Sequence, residues 1–312
     1  MGTKRALRDA YGDALVKLGE QREDLVVLDA DLSSSTKTSK FASRFPGRFF
    51  NMGIAEANMM ATASGLALSG KTVFASTFAV FASCRAYDQV RIAVAYSKAN
   101  VKIVATHGGI TVGEDGATHH AIEDIALMRA MPNLKVLATC DYESTYSVVF
   151  RIAEEEGPFY LRLTRVSLPD LYKKGDTFEV GGGKLLKEGK DITLIAEGPL
   201  VHEAISASRM LEEKGISVEL IDCYSIKPLP EELILDSVSK TGKVMTAEDH
   251  SVIGGLGGAV AELRSEKKPL PLKRLGVPDR FCFSGSASDL LKSVGLDALS
   301  IVREVIDFLD KI

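Results

Sequence analysis

Short apolar runs alternate with stretches of helical spacing over most of this chain, and that alternation limits the possible folds more than any other feature. Leu7, Tyr11, Leu15 and Leu18 carry a helical repeat to about residue 20, and "DLVVLDADLS" then reads as a buried strand ending in acids and serines. The pattern continues with "ANMMATASGLALSG" as a helix closed by Gly70, "TVFAST" as a strand, and "SCRAYDQVRIAVAYS" as a helix. Next come the strand "VKIVATHGG", the helix "AIEDIALMRAM" stopped at Pro132, and the strand "LKVLATC". "DYESTYSVVFRIAEEE" is a helix with Asp141 as its N-cap, and "FYLRLTR" is a strand. Strands without polar alternation, separated by helices, predict a mostly parallel sheet covered on both faces. Such sheets bind ligands beyond the carboxyl ends of their strands. Polar residues gather at those ends here: Asp29 to Ser35, Thr77 and Phe78, His107 to His120, and Arg162 to Arg165.

The character changes after residue 168, where Pro169, charged residues, "GGGK" and "KEGK" make a polar connection with room for a short hairpin. Beyond it, "ITLIAEG", "HEAISASRMLEEKG", "ISVELIDCYSIKPL", a helix from about Pro230, "KVMTAEDH" and a helix after "GGLGG" repeat the α/β pattern on a smaller scale. The expected organisation is therefore two doubly wound α/β domains, residues 1–168 and 191–312, joined by a linker at 169–190. A length of 312 residues suits two domains.

Several function classes are excluded. A formal charge of −4 with acids and bases interspersed offers no basic stripe for a nucleic-acid backbone. Cys84, Cys140, Cys223 and Cys282 are far apart and show neither a zinc spacing nor a disulfide framework, which fits a reducing cytoplasm. No segment has the apolar length of a signal peptide core or a membrane span, so a cytoplasmic protein without membrane contact is expected.

Candidate chemistry concentrates in "THGGITVGEDGATHH", residues 106–120, with His107, His119 and His120, the acids Glu114 and Asp115, and several glycines. Glycines allow close backbone approach to a ligand. His107, Asp115 and His119 suit hydrogen bonds to hydroxyls or proton movement near neutral pH, the alternative being a solvated loop. A metal site is not indicated, since no pair of these residues has helical ligand spacing. Phe78 and Phe81 are three apart, a spacing that by itself indicates core packing more than a ring-binding platform. Arg165 can pair with a phosphate through its planar fork or sit free on the surface. "VIGGLGGAV" is better read as a strand-to-helix turn than as a phosphate turn, and Cys84 and His202 as structural. Glu56, in "NMGIAEANMM", places one carboxylate among small and apolar neighbours where a strand gives way to a helix.

"GIAEANM", "STFAVFASCRAYDQVR", "GITVGEDGATHHAIEDIALMRAMPNLKV", "YLRLTR" and "AEDHSVIGGLGGAVAEL" occur in an order that resembles the second half of transketolase. That half is the pyrimidine-binding domain followed by the C-terminal domain, and the resemblance covers nearly the whole chain. It implies transfer of a two-carbon ketol unit from a ketose phosphate to an aldose phosphate, dependent on thiamine diphosphate. Glu56 matches the glutamate that hydrogen-bonds N1′ of the cofactor's aminopyrimidine, and Phe78 and Phe81 match the aromatic residues packed on that ring. His107, Asp115 and His119 match contacts to the sugar hydroxyls and carbonyl. Arg165 and, less directly aligned, Arg5 match arginines that bind the sugar's terminal phosphate. Glu56, His107 and His119 are then the catalytic candidates. A third aromatic found in some relatives falls near Cys84.

Transketolases hold the diphosphate through a divalent metal bound by a GDG motif and a downstream asparagine, and "GDG" does not occur here. The resemblance thus implies an N-terminal partner subunit that carries the diphosphate domain and most of the contacts to Mg²⁺ or another divalent ion, in an α2β2 assembly. The alternatives are a deoxyxylulose-phosphate synthase, transfer on an unusual sugar such as a sulfonated one, a 2-oxo acid dehydrogenase beta-type subunit, or a non-catalytic homologue. His107 and "GEDG" favour transketolase over the synthase.

Overall fold

The structure is a computed structural model and describes residues 4–311. The first unit opens with β1 (Lys4–Ala6), the helix Leu7–Gln21 and β2 (Leu25–Asp29). Strands β3 (Phe49–Asn51), β4 (Thr72–Phe78), β5 (Val101–Thr106), β6 (Lys135–Ala138) and β7 (Phe159–Arg162) follow, separated by helices. The chain continues through β8 (Ser167–Pro169), β9 (Lys184–Lys187), β10 (Ile192–Ala196), β11 (Val218–Asp222) and β12 (Ser225–Lys227) to β13 (Val244–Ser251) and β14 (Leu272–Val277). Two main sheets result, both α/β in character as expected. A seven-stranded sheet has the order β12-β6-β7-β5-β4-β2-β3, and a five-stranded sheet the order β14-β13-β10-β11-β9. All neighbours are parallel except the edge strands β12 and β9.

Continuous burial explains the apolar runs. Every residue of β2, β4, β5, β7, β10 and β11 is buried, because helices cover both faces and no strand has a wet side. Leu7, Tyr11, Leu15 and Leu18 all lie on the buried face of the first helix. Each of the three leucines contributes about 1.5–3 kcal/mol through its removal from water. Asp141 caps Tyr142–Glu154 in a reciprocal capping box, with its Oδ1 accepting from Ser144 N at 2.7 Å. Its Oδ2 accepts from the backbone N–H groups of Leu171 and Tyr172, so the same side chain also fixes the following connection.

Three local expectations are corrected. The polar connection forms no hairpin of its own: β8 pairs with β1 at the start of the chain, and β9 joins the second sheet beside β11. "ISVELIDCYSIKPL" is not one element, because β12 leaves the second unit and adds an antiparallel edge to the first sheet beside β6. "SCRAYDQVRIAVAYS" is not a regular α-helix; wide π-type turns at Phe81–Arg85 and Val90–Tyr96 flank a short α segment. Apolar residues three to four apart are compatible with either winding, so spacing does not separate them.

The units share a core. One apolar cluster runs from Leu28, Met59 and Ile103 through Met128 and Leu134 to Ile221, Ile226, Val260 and Leu263. Among the described residues no helix is long and apolar enough to cross a membrane.

Candidate active site

The helix Glu56–Leu68 begins directly after β3 and its connecting loop, and Glu56 is its first residue. An acid in the first turn is favoured by the unsatisfied N–H groups there, yet this one is only 1% exposed. Both of its oxygens receive Arg85 Nη1, at 2.9 and 3.0 Å. The setting is therefore less apolar than the sequence indicates. The wide turn at Phe81–Arg85 brings the same guanidinium over the Phe81 ring, 4.3 Å from its centre.

From Phe81 the contacts run on without a break. Phe81 and Phe78 lie 5.8 Å apart and nearly parallel, at 14°. Phe78 stacks on His107 at 3.9 Å, and His119 presents its edge to Phe81 at 5.6 Å. Glu56, Phe78, Phe81, His107 and His119 thus converge at the carboxyl ends of β3, β4 and β5. Phe78 is buried and Phe81 half-buried, which leaves one wall of the row open.

His107 sits in the left-handed region, φ +61°, where the chain leaves β5. It is buried and shares a hydrogen bond between Nδ1 and Thr106 Oγ1 at 2.8 Å. Burial, followed by the positive charges of Arg8 and Arg165, pushes its pKa down to about 3. The ring is neutral near pH 7, so it can exchange hydrogen bonds with a hydroxyl or carbonyl but does not store a proton there. His119 is half-buried, with Nδ1 hydrogen-bonded to Thr118 Oγ1 at 2.9 Å, and Asp115 is exposed at the loop tip.

A cleft of about 250 Å³, whose Arg8 and Arg165 charges act on His107, is lined by Arg8, Thr111, Val112, Gly113, Glu114, Arg165 and Ala287 among others. Arg165 Nη1 donates to Val112 O at 2.6 Å and Glu114 Oε2 at 2.9 Å. Arg8 donates from Nη1 to Ser35 O at 3.2 Å, while its buried Nε has no partner. Two guanidiniums with spare donors make this a place for an anion. Arg5 does not reach it. Its Nε and Nη2 are held by Asp170 and Glu143, and its guanidinium lies 3.7 Å from the Tyr142 ring centre, so it fastens β1 to the β8 side of the fold.

Arg8 and Arg85 are the residues that sequence reasoning missed. Arg8 stands in the same "KRALRDA" stretch as Arg5, but Arg5 belongs to β1 and Arg8 to the helix, so the two point to different places. The glycine turn of "VIGGLGGAV" is filled from within: Glu248 accepts from Leu256 N at 2.6 Å and Gly257 N at 2.9 Å. A side chain on Gly255 would come within 2.0 Å of that carboxylate. Cys84 is exposed with its sulfur 3.6 Å from Glu123 Oε1, and His202 donates to Cys140 O at 2.8 Å. Among the described residues no group of three or more His, Cys, Asp or Glu side chains is arranged to hold a metal ion.

A parallel sheet carrying a buried carboxylate, a stacked aromatic pair and an arginine-lined cleft at its strand ends, with a second α/β unit docked beside it, defines a two-unit α/β chain with a candidate site at its first rim. Its family follows from comparison with known proteins. The profile for the transketolase pyrimidine-binding domain matches residues 3–170, and that for the transketolase C-terminal domain matches 181–301. The chain belongs to the transketolase family. It is 51% identical to a Methanocaldococcus jannaschii protein provisionally named a transketolase C-terminal section, over 99% of this chain and 98% of that one. It is 41% identical to a 6-deoxy-6-sulfo-D-fructose transketolase subunit of Clostridium sp. (strain MSTE9), over 95% of this chain and 92% of that one. Among solved structures it superposes on a split-gene transketolase described as an inactive beta4 tetramer, with a TM-score of 0.92, 50% identity and 98% of each chain covered. Membership supports a transferase and implies the use of thiamine diphosphate.

Proposed function

We propose that this chain is the C-terminal subunit of a two-chain transketolase, supplying the pyrimidine half of a thiamine diphosphate site and the loop that holds the sugar. The observation that carries this reading is the row Glu56–Arg85–Phe81–Phe78. Arg85 is a planar, cationic donor that rests on Phe81 and gives hydrogen bonds to Glu56. Those are the properties a protonated aminopyrimidine offers the same two side chains, so the residues fit the group. Glu56 would hold the ring and exchange a proton with it, while Phe78 and Phe81 would orient it and exclude water. Arg85, 48% exposed, would have to turn outward. When bound, the cofactor supplies the nucleophilic carbon and the electron sink for the two-carbon unit.

Neutral His107, together with His119, borders the space beside Phe78, and both would hydrogen-bond the sugar's carbonyl and hydroxyls, with Asp115 closing from the loop tip. Arg165 and Arg8 would take the terminal anion, each charge-assisted bond contributing roughly 1.5–3 kcal/mol. An N-terminal partner in an α2β2 assembly would hold the diphosphate and the divalent ion. The relatives matched along nearly their whole length are named as a section and a subunit, which supports a division of the enzyme between two polypeptides.

A second reading concerns only the sugar. One relative is named for a sulfonated ketose, and the Arg8–Arg165 cleft offers charge to a sulfonate as readily as to a phosphate. Reconstitution with the N-terminal partner, thiamine diphosphate and Mg²⁺ tests both. Two-carbon transfer from xylulose 5-phosphate to ribose 5-phosphate is expected, and a preference for 6-deoxy-6-sulfofructose as donor would favour the second reading. No transfer from any phosphorylated or sulfonated ketose would overturn the proposal.

A further inference from the structure

We propose that Asp249, from the second α/β unit, is a positioning residue for the substrate loop of the first; this rests on the reading of residues 107–120 given above. Asp249 lies in β13 and is fully buried. Its carboxylate spends every bond on the other unit. Oδ1 accepts from Ile110 N at 2.9 Å, and Oδ2 accepts from Thr111 N at 3.3 Å and Thr111 Oγ1 at 2.6 Å.

The fit is tight on the loop side. Gly109 has φ +79°, and a Cβ there would stand 2.1 Å from Asp249 Oδ2, so only glycine lets the carboxylate reach the loop backbone. Asp249 is fixed from behind as well. Its N–H donates to Glu197 Oε1 at 3.0 Å, and its carbonyl accepts from Arg162 Nη2 at 2.8 Å. Arg162 is buried against Asp124, with Nε to Oδ2 at 2.8 Å.

The segment so held lies between the functional positions. His107 precedes it by three residues, while Val112 and Gly113 follow and line the anion cleft. Thr111 also bonds Thr164, next to Arg165, at 2.9 Å, and Val112 O is the acceptor of Arg165. Asp249 therefore sets the spacing between the Phe78–His107 stack and the arginines that would receive the far end of the substrate. It is fully buried and lies outside the cleft lining, so its effect passes through Thr111 and Val112.

The variants D249N, G109A and T111V test this. D249N faces the loop's N–H and O–H groups with one acceptor and one donor in place of two acceptors. G109A pushes the carboxylate away from the loop side, and T111V removes one bond only. In the full chain, hydrogen exchange of the 107–120 amides should quicken by roughly 10-fold, one lost charge-assisted bond, in D249N and G109A and by less in T111V. Strands β5 and β7 should keep their protection. In the complex reconstituted with its partner, KM for an anion-bearing ketose should rise on the order of 10- to 100-fold, with kcat and the kinetics of an uncharged ketose moving less.

Unchanged loop exchange, or faster exchange spread equally over β5 and β7, would show a mere brace of the fold and overturn the proposal. An equal change for charged and uncharged ketoses would overturn it too. If D249N does not fold, G109A and T111V decide by the same criteria. An inactive wild-type complex would refute the transferase reading alone, since the exchange measurement still tests whether Asp249 holds the loop.

Discussion

The two sheets carry similar rims and use them in opposite ways. At the carboxyl ends of β3, β4, β5 and β7 the side chains are left partly open: Phe81 and His119 are half-buried, Asp115 is exposed, and Arg8 keeps an unused donor. At the carboxyl ends of β10 and β13, Glu197, Glu248, Asp249 and His250 are all 0% exposed. Asp249 and His250 bond the first unit, Glu248 the adjacent helix start, and Glu197 holds the Asp249 N–H from behind. Strand-end polarity thus marks the candidate ligand site in one unit and a docking surface in the other. What separates them is whether a neighbouring element arrives to take the hydrogen bonds.

The comparison can be broken most severely at Glu56. E56Q keeps the shape but loses a group that exchanges a proton, and activity of the reconstituted enzyme should fall roughly 10²- to 10⁴-fold, measured as kcat. Stability should change little by comparison, because Arg85 is a half-exposed partner.

Arg162 is the corresponding break in the docking rim. R162M leaves Asp124, Asp249 and Glu197 buried around a missing cation, and such a loss costs about 3–5 kcal/mol. The urea midpoint should drop accordingly, with no unfolding change of this size in E56Q.

The pH range from about 3 to about 7 should separate the two rims. Folding pushes His107 down to about 3, chiefly by burial, from an ordinary value near 6.5. Between those values the unfolded chain binds a proton that the folded chain refuses, so stability is lost as pH falls from about 6.5 toward 3. Folding pushes Glu197 up to about 7, again chiefly by burial. Here the folded chain holds a proton the unfolded one has released, so stability is lost as pH rises from about 4.5 toward 7. H107N should flatten the acidic part of a stability curve taken by chemical denaturation, and E197Q the part approaching neutrality.

The smallest effect is expected at Arg85. R85M removes an ion pair that is half in water and contributes about 1 kcal/mol or less, so thiamine diphosphate should bind the reconstituted complex up to roughly fivefold more tightly. Calorimetric titration reads this directly; weaker binding would mean that Arg85 helps to hold the cofactor.

Much of the first unit was legible in sequence. Leu7, Tyr11, Leu15 and Leu18 showed their helix, Asp141 its cap, and the unbroken apolar strands their burial on two faces. Phe78 and His107 to His120 were placed on one rim because residues at successive strand ends share one edge of a parallel sheet, whereas spacing alone read Phe78 and Phe81 as core packing and only the resemblance to transketolase joined them to Glu56. Arg5 and Arg8 were not distinguished, since three positions along the chain separate a strand from a helix and local spacing does not say where the boundary falls. Arg85 was passed over because π-type winding carries it onto Phe81 and Glu56. The edge strand β12 was hidden because its partner β6 lies nearly ninety residues earlier.

What the sequence determined by itself is what depends on neighbours within a few turns: periodicity, caps, burial of whole strands, and the identity of the loops that reach the rim. The tertiary structure alone decided which arginine faces the anion cleft, which cation covers Glu56, and that Asp249 serves a loop some 140 residues away. Those outcomes are set by hydrogen bonds and charges that must be matched once water is excluded, and the matching partners come from wherever the fold brings them.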